Sequence, residues 1–107
     1  MQELIDFFTF VKKGDVAKVK NCIEHGYINP SILENRAIRV ASQYGHLEMV
    51  QYLLSLPKSF GVVVSTKNNS ALRMAVEEER ENIVRYLLSL PPSFGVDVRA
   101  KNNLVVS

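Results

Sequence analysis

The sequence predicts an all-α solenoid, a stack of helix-turn-helix repeats joined by short hairpins or loops. Two observations carry this. The stretch SLPKSFGVVVSTKNN at 55–69 returns as SLPPSFGVDVRAKNN at 89–103, so that Ser55 and Ser89, Phe60 and Phe94, and Asn69 and Asn103 each stand 34 residues apart. A fixed period in the range of about 20–50 residues marks stacked supersecondary units. Aligning 35–68 with 69–102 gives 18 identities in 34 positions, including Ala37/Ala71, Ala41/Ala75, Val50/Val84, Leu53/Leu87 and Leu54/Leu88. The repeat is therefore the whole unit and not only its loop. The chain divides as a single domain, 1–107, into a degenerate first unit (1–34), two full units (35–68 and 69–102) and the start of a truncated one (103–107).

The first unit is carried by FFTFVKKGDVAKVKNCIEHGYIN at 7–29, with Gly14 at its turn and Val16, Val19 and Ile23 on one stripe. Phe10 falls where the later units have Ala41 and Ala75, so the first helix pair is expected to be spaced or packed differently. In the second unit Ala37, Ile38 and Ala41 place an apolar stripe on a helix of about two turns. Ala71, Leu72 and Ala75 repeat it. Asn35, and Asn69 or Ser70, suit the N-cap, where a short polar side chain accepts from the amides of the first turn. Leu47, Val50, Leu53 and Leu54 form the stripe of the second helix, repeated by Val84, Leu87 and Leu88. That helix ends near Leu56 and near Leu90, because Pro57 and Pro91 disfavour helical geometry in the residue before them and supply no amide hydrogen. Gly45 lies between the two helices, where a positive φ suits glycine. In the connector, Phe60 and Phe94 are expected to pack over the helix ends, with Gly61 and Gly95 allowing the turn that follows.

Composition bounds the function. A chain of 107 residues, 47% hydrophobic and 22% charged, is one ordinary folded domain. A net charge of +2 is too small and too dispersed for a phosphate-tracking surface. Cys22 is the single cysteine, so no internal disulfide forms, and no Cys/His array suggests zinc. Cys22 reads as a buried, inert thiol. No apolar stretch approaches the ~18 residues of a membrane span, and the N-terminal MQELIDFFTFVKKGD carries acids where a signal peptide is basic. The chain reads as soluble, with neither a membrane nor a nucleic-acid partner expected.

AIRVASQYGHLEMVQYLL resembles the ankyrin repeat, at Ala37, Ile38, Ala41, Gly45, His46, Leu47, Glu48, Val50, Leu53 and Leu54, and GVDV at 95–98 is similar to the Gly-Ala-Asp-Val of that family. The period of 34 instead of about 33 comes from a longer exit from the second helix and a shorter approach to the next first helix, which trims the hairpin tip. The family's Thr-Pro-Leu-His is replaced by Arg36-Ala37-Ile38-Arg39 and Ser70-Ala71-Leu72-Arg73, and GHLE becomes Glu79-Arg80-Glu81-Asn82. A Glu at a positive-φ turn costs on the order of 1 kcal/mol, so that turn is expected to be strained or differently shaped.

The resemblance implies a protein-protein interaction module that binds through the concave first-helix face. On this sequence the matching positions are Lys12, Lys13, Gln43, Tyr44, Glu77 and Glu78, with Arg36, Arg39 and Arg73 near the helix starts. Charge along that row runs from basic through Tyr44 to acidic, and Tyr44 is the best anchor, because aromatics with a polar tip concentrate at interface centres. Arg39 and Arg73 also read as structural hydrogen-bond donors, and the run at 77–81 as a solvated helix end. Two other uses compete: an architectural spacer in a longer repeat protein, and a weak nucleic-acid binder using Lys12, Lys13, Lys18 and Lys20. Catalysis finds no motif, and no cofactor or metal is expected. Leu104, Val105 and Val106 open a unit without helices of its own, so the last helix pair is expected to continue into a longer array or to be covered by a second copy. The resemblance also implies an intracellular, cytoplasmic setting, with secretion as an effector the alternative.

Overall fold

The structure, a computed structural model, describes residues 2–97. The expected start of a further unit at 103–107 and the end of the unit before it lie outside the described residues. Six α-helices follow one another: α1 (Gln2–Lys13), α2 (Val16–Glu24), α3 (Ile32–Gln43), α4 (Leu47–Ser55), α5 (Thr66–Glu77) and α6 (Glu81–Leu88). They pair as α1 with α2, α3 with α4 and α5 with α6, and the pairs stack. The first helices α1, α3 and α5 make one layer and the second helices α2, α4 and α6 the other, in a body of 41 × 25 × 21 Å. The described residues contain no strand, so the units are joined by loops.

Each helix follows from its residues. α1 carries Glu3 in its first turn and Lys12 and Lys13 in its last, complementing the helix dipole at both ends. It buries Phe7 and Val11, four apart on one face. α2 starts on Asp15, whose Oδ1 accepts from the Lys18 amide at 3.1 Å, and buries Val19 and Ile23. α4 buries Met49, Val50 and Leu53, and α6 buries Ile83 and Leu87. Leu56, the C-cap of α4, is extended (φ −67°, ψ 149°), the geometry that a following proline favours.

One turn closes all three pairs. The amides of Asp15, His46 and Arg80 donate to the carbonyls of Phe10, Ala41 and Ala75 at 2.9, 3.0 and 2.8 Å. The residue before each of these donors takes positive φ: Gly14 (75°), Gly45 (79°) and Glu79 (58°). Glu79 therefore does not reshape the turn; it adopts the glycine conformation and bears the strain.

The first helices begin differently from the sequence expectation. Leu33, Glu34 and Asn35 take φ of 56–59°, and Lys67, Asn68 and Asn69 take 57–60°, so one left-handed turn precedes the right-handed part of α3 and of α5. Left-handed backbone costs about 1–2 kcal/mol per non-glycine residue, least for Asn. Asn35 and Asn69 are not N-caps: neither caps its own helix, and both are buried and turned toward the following connector. Asn35 Oδ1 accepts from the Val63 amide (2.9 Å) while its Nδ2 donates to Thr66 Oγ1 (3.2 Å), and Asn69 Oδ1 accepts from the Asp97 amide (3.2 Å). The same side chain thus ties each full unit to its own exit loop, at the mouth of the next.

That exit loop is a single 3₁₀ turn, Lys58–Phe60 and again Pro92–Phe94, followed by Gly61 (φ 76°) and Gly95 (φ 75°). Phe60 and Phe94 pack partly buried against the core. A Cβ at Gly61 would stand 3.2 Å from Ser31 Oγ and one at Gly95 2.9 Å from Ser65 Oγ, so each glycine also lets its loop close on the loop before it. The twice-seen Pro-Phe-Gly segment is a connector.

Packing between pairs is not uniform. α3 meets α5 more extensively than α1 meets α3. Ala37, Ala41, Ala71 and Ala75, all fully buried, let α3 and α5 approach closely. α1 instead presents Phe7, buried, with Phe8 edge-on to it at 5.2 Å, and Phe10 only half-buried at the end of the stack. The expected difference in packing of the first pair is thereby explained by side-chain volume.

Candidate functional site

The carboxyl ends of the first helices form a row on one edge of the stack. Lys12 and Lys13 end α1, Gln43 ends α3 with Tyr44 as its C-cap, and Glu77 ends α5 with Glu78 as its C-cap. Register alone brings them together, because the same hydrogen-bonded turn follows each helix. Lys12, Lys13, Glu77 and Glu78 are exposed, Gln43 is half-buried, and Tyr44 is 37% exposed. Lys12 Nζ lies 5.3 Å from the centre of the Tyr44 ring, a cation-π contact between adjacent units. Acidic residues at the negative end of the α5 dipole oppose helix stability by about 0.3–1 kcal/mol each, so stability alone does not select Glu77 and Glu78.

The row rests on a rung of inter-unit hydrogen bonds that the sequence did not show. His46 Nε2–H donates to the Lys12 carbonyl (2.6 Å), and at the equivalent position Arg80 Nε donates to the Gln43 carbonyl (3.0 Å). Both side chains lie flat across the preceding turn: a Cβ at Gly14 would stand 2.6 Å from His46 Nδ1, and one at Gly45 2.9 Å from Arg80 Cδ. A donor recurring 34 residues on, in place of a recurring residue type, was the signal available.

The two arginines of the repeat divide. Arg39 donates through Nε to the Glu34 carbonyl and through Nη2 to the Leu33 carbonyl, both at 3.1 Å, and so holds the left-handed turn. Arg73, its equivalent, is half-buried with Nε lacking a hydrogen-bond partner. Neither joins the exposed row. Nor do the four lysines of the nucleic-acid reading form one stripe. Lys12 and Lys13 sit on α1, whereas Lys18 and Lys20 sit on α2 beside Asp15 and Glu24, each at 3.9 Å.

Beside the row, on the outer side of the first-helix layer, a groove of about 460 Å³ runs between α1 and α3. Leu4, Phe8 and Val40 line it, with Arg36 toward the start of α3 and Lys12 and Tyr44 toward the carboxyl ends of α1 and α3. Arg36 Cζ lies 5.3 Å from the centre of the Phe8 ring. Elsewhere, burial and then the Asp6 carboxylate push the half-buried Cys22 thiol above its ordinary pKa. Burial, and secondarily Glu24, raises Tyr52 in the same way, and its hydroxyl has no hydrogen-bond partner. Among the described residues no group of three or more His, Cys, Asp or Glu side chains is placed to hold a metal ion, and no helix is long and apolar enough to cross a membrane.

Neither the curated proteins nor the solved structures gave a match to this chain. Ankyrin repeats are in general protein-protein interaction modules, typically without catalytic activity. Their family model matches residues 7–102 in three copies, over the same stacked helix pairs built by one turn and one connector, and the chain belongs to the ankyrin-repeat family.

Proposed function

We propose that this chain is a protein-binding module whose docking surface is the first-helix layer, centred on Tyr44. The observation that carries the reading is the position of Tyr44, an exposed aromatic at the end of α3 that borders the groove and faces Lys12. Such residues contribute most of the binding energy where they are ringed by contacts that exclude water. The tight turn that follows Tyr44 leaves little loop surface beside it, so recognition falls to the helices. Glu77 and Glu78 extend the row with opposite charge to Lys12 and Lys13, which suits register selection more than raw affinity.

The test is affinity capture from cell lysate with the full chain and with the variant Tyr44→Ala, Glu77→Lys, Glu78→Lys. The reading expects the captured proteins to be lost while circular dichroism is unchanged. Capture of the same proteins by the folded variant would end it.

Self-association by stacking α1 and α2 of one copy on α5 and α6 of another is the less favoured use. In that register Asp15 occupies the position of His46 and Arg80, facing the Glu77 carbonyl. A carboxylate has no proton to donate there, and it would meet the acidic end of α5.

A further inference from the structure

We propose that the groove between α1 and α3 binds a short protein segment with bulky apolar side chains bracketed by two carboxylates. This rests on the protein-binding reading and specifies its ligand. Three of the exposed large apolar residues, Ile5 (54%), Leu33 (50%) and Tyr44 (37%), line this one groove. Apolar surface concentrated in a concavity, with polar residues at its rim, is the form of an interaction site.

The ends of the groove set the charge of the ligand. Arg36 stands at one end over Phe8 and Lys12 at the other over Tyr44. Neither has a carboxylate partner among the described residues. A guanidinium whose face lies on an aromatic ring keeps its in-plane N–H fork available for bidentate carboxylate binding. Both side chains are exposed, and the ring beneath each one holds its charged end in place, so each meets an incoming anion from solvent already positioned.

Register gives the spacing. The common turn makes Lys12 equivalent to Gln43, so Arg36 and Lys12 are seven helical positions apart along the groove, about 10 Å at 1.5 Å per residue. A ligand would place its two carboxylates seven residues apart if helical, or three apart if extended, at about 3.3 Å per residue. An anionic membrane surface shares the charge and the apolar character. The concavity disfavours it, since a bilayer is met by protruding side chains and these cations lie back on their rings.

The probe is a randomised peptide library displayed against the full chain, followed by binding constants for the enriched peptides. Enrichment of Leu, Ile, Phe or Met between Asp or Glu residues at either spacing is expected. Lys12→Glu and Arg36→Glu should each weaken such a peptide by about tenfold or more. Lys20→Glu, on α2 and outside the groove, should leave it unchanged. Basic consensus peptides lost on Glu77→Lys and Glu78→Lys would overturn this inference while leaving the protein-binding reading intact. No enriched peptide, or binding to vesicles of equal phosphatidylcholine and phosphatidylserine that Arg36→Glu abolishes, would also overturn it. So would a concentration-dependent dimer abolished by Arg36→Glu, since the groove would then hold a second copy. Loss of lysate capture in the Tyr44 variant remains the separate test of the broader reading.

Discussion

Asn35 has a consequence out of proportion to its size, because one buried amide holds both the Val63 amide and the Thr66 hydroxyl. Removing it leaves a part-buried N–H without its acceptor, which costs up to about 1–3 kcal/mol. Asn35→Ala should therefore lower the unfolding free energy measured in urea by that amount, and Asn69→Ala, with one such bond to Asp97, by less. Glu79→Gly acts in the opposite sense: with φ at 58°, glycine relieves about 1 kcal/mol of backbone strain, and the midpoint should rise. The raised pKa of Cys22 means less thiolate at a given pH. Its alkylation by iodoacetamide at pH 8 should be slower than that of a free thiol, and unfolding in urea should restore the ordinary rate. At this scale the sequence was only partly legible. Gly45 and Gly61 announce positive φ because only they adopt it freely. Leu33, Glu34 and Lys67 have no such preference, so the left-handed turn they share stayed hidden. Asn35 departs from the sequence expectation for a related reason: an Asn before a helix suits a cap, and its partners lie 28 and 31 residues away.

Helices were read well where spacing decides them and less well where neighbours do. Pro57 and Pro91 stop the second helices by local stereochemistry, which any sequence displays. How closely two helices approach depends on residues from both, and the buried alanines of α3 have meaning only together with those of α5. Ala41→Leu should force α3 and α5 apart and destabilise by about 1–3 kcal/mol in thermal unfolding, the ordinary cost of overpacking. The groove was illegible for the same reason. In the sequence Lys12 belongs to the row and Arg36 to the helix start, and only the stacking of α1 on α3 brings them to one concavity.

Across the whole molecule, each pair uses the next as the other half of its core, so stability is close to a sum of neighbour terms. His46 is a direct hydrogen-bond rung between the first pair and the second. His46→Ala should speed amide exchange in α1 and α2 several-fold while α5 and α6 exchange as before. The rungs keep the first helices in register, and register is what turns Lys12, Tyr44 and Glu78 from separate helix ends into one surface. On the proposed function, partners dock on that surface. The most direct measurement is the amide ¹H–¹⁵N spectrum of the full chain titrated with a captured partner. The largest shifts are predicted in 4–12 and 36–44, with smaller ones at 77–78. Shifts confined to α2, α4 and α6, with the first helices unchanged, would contradict it.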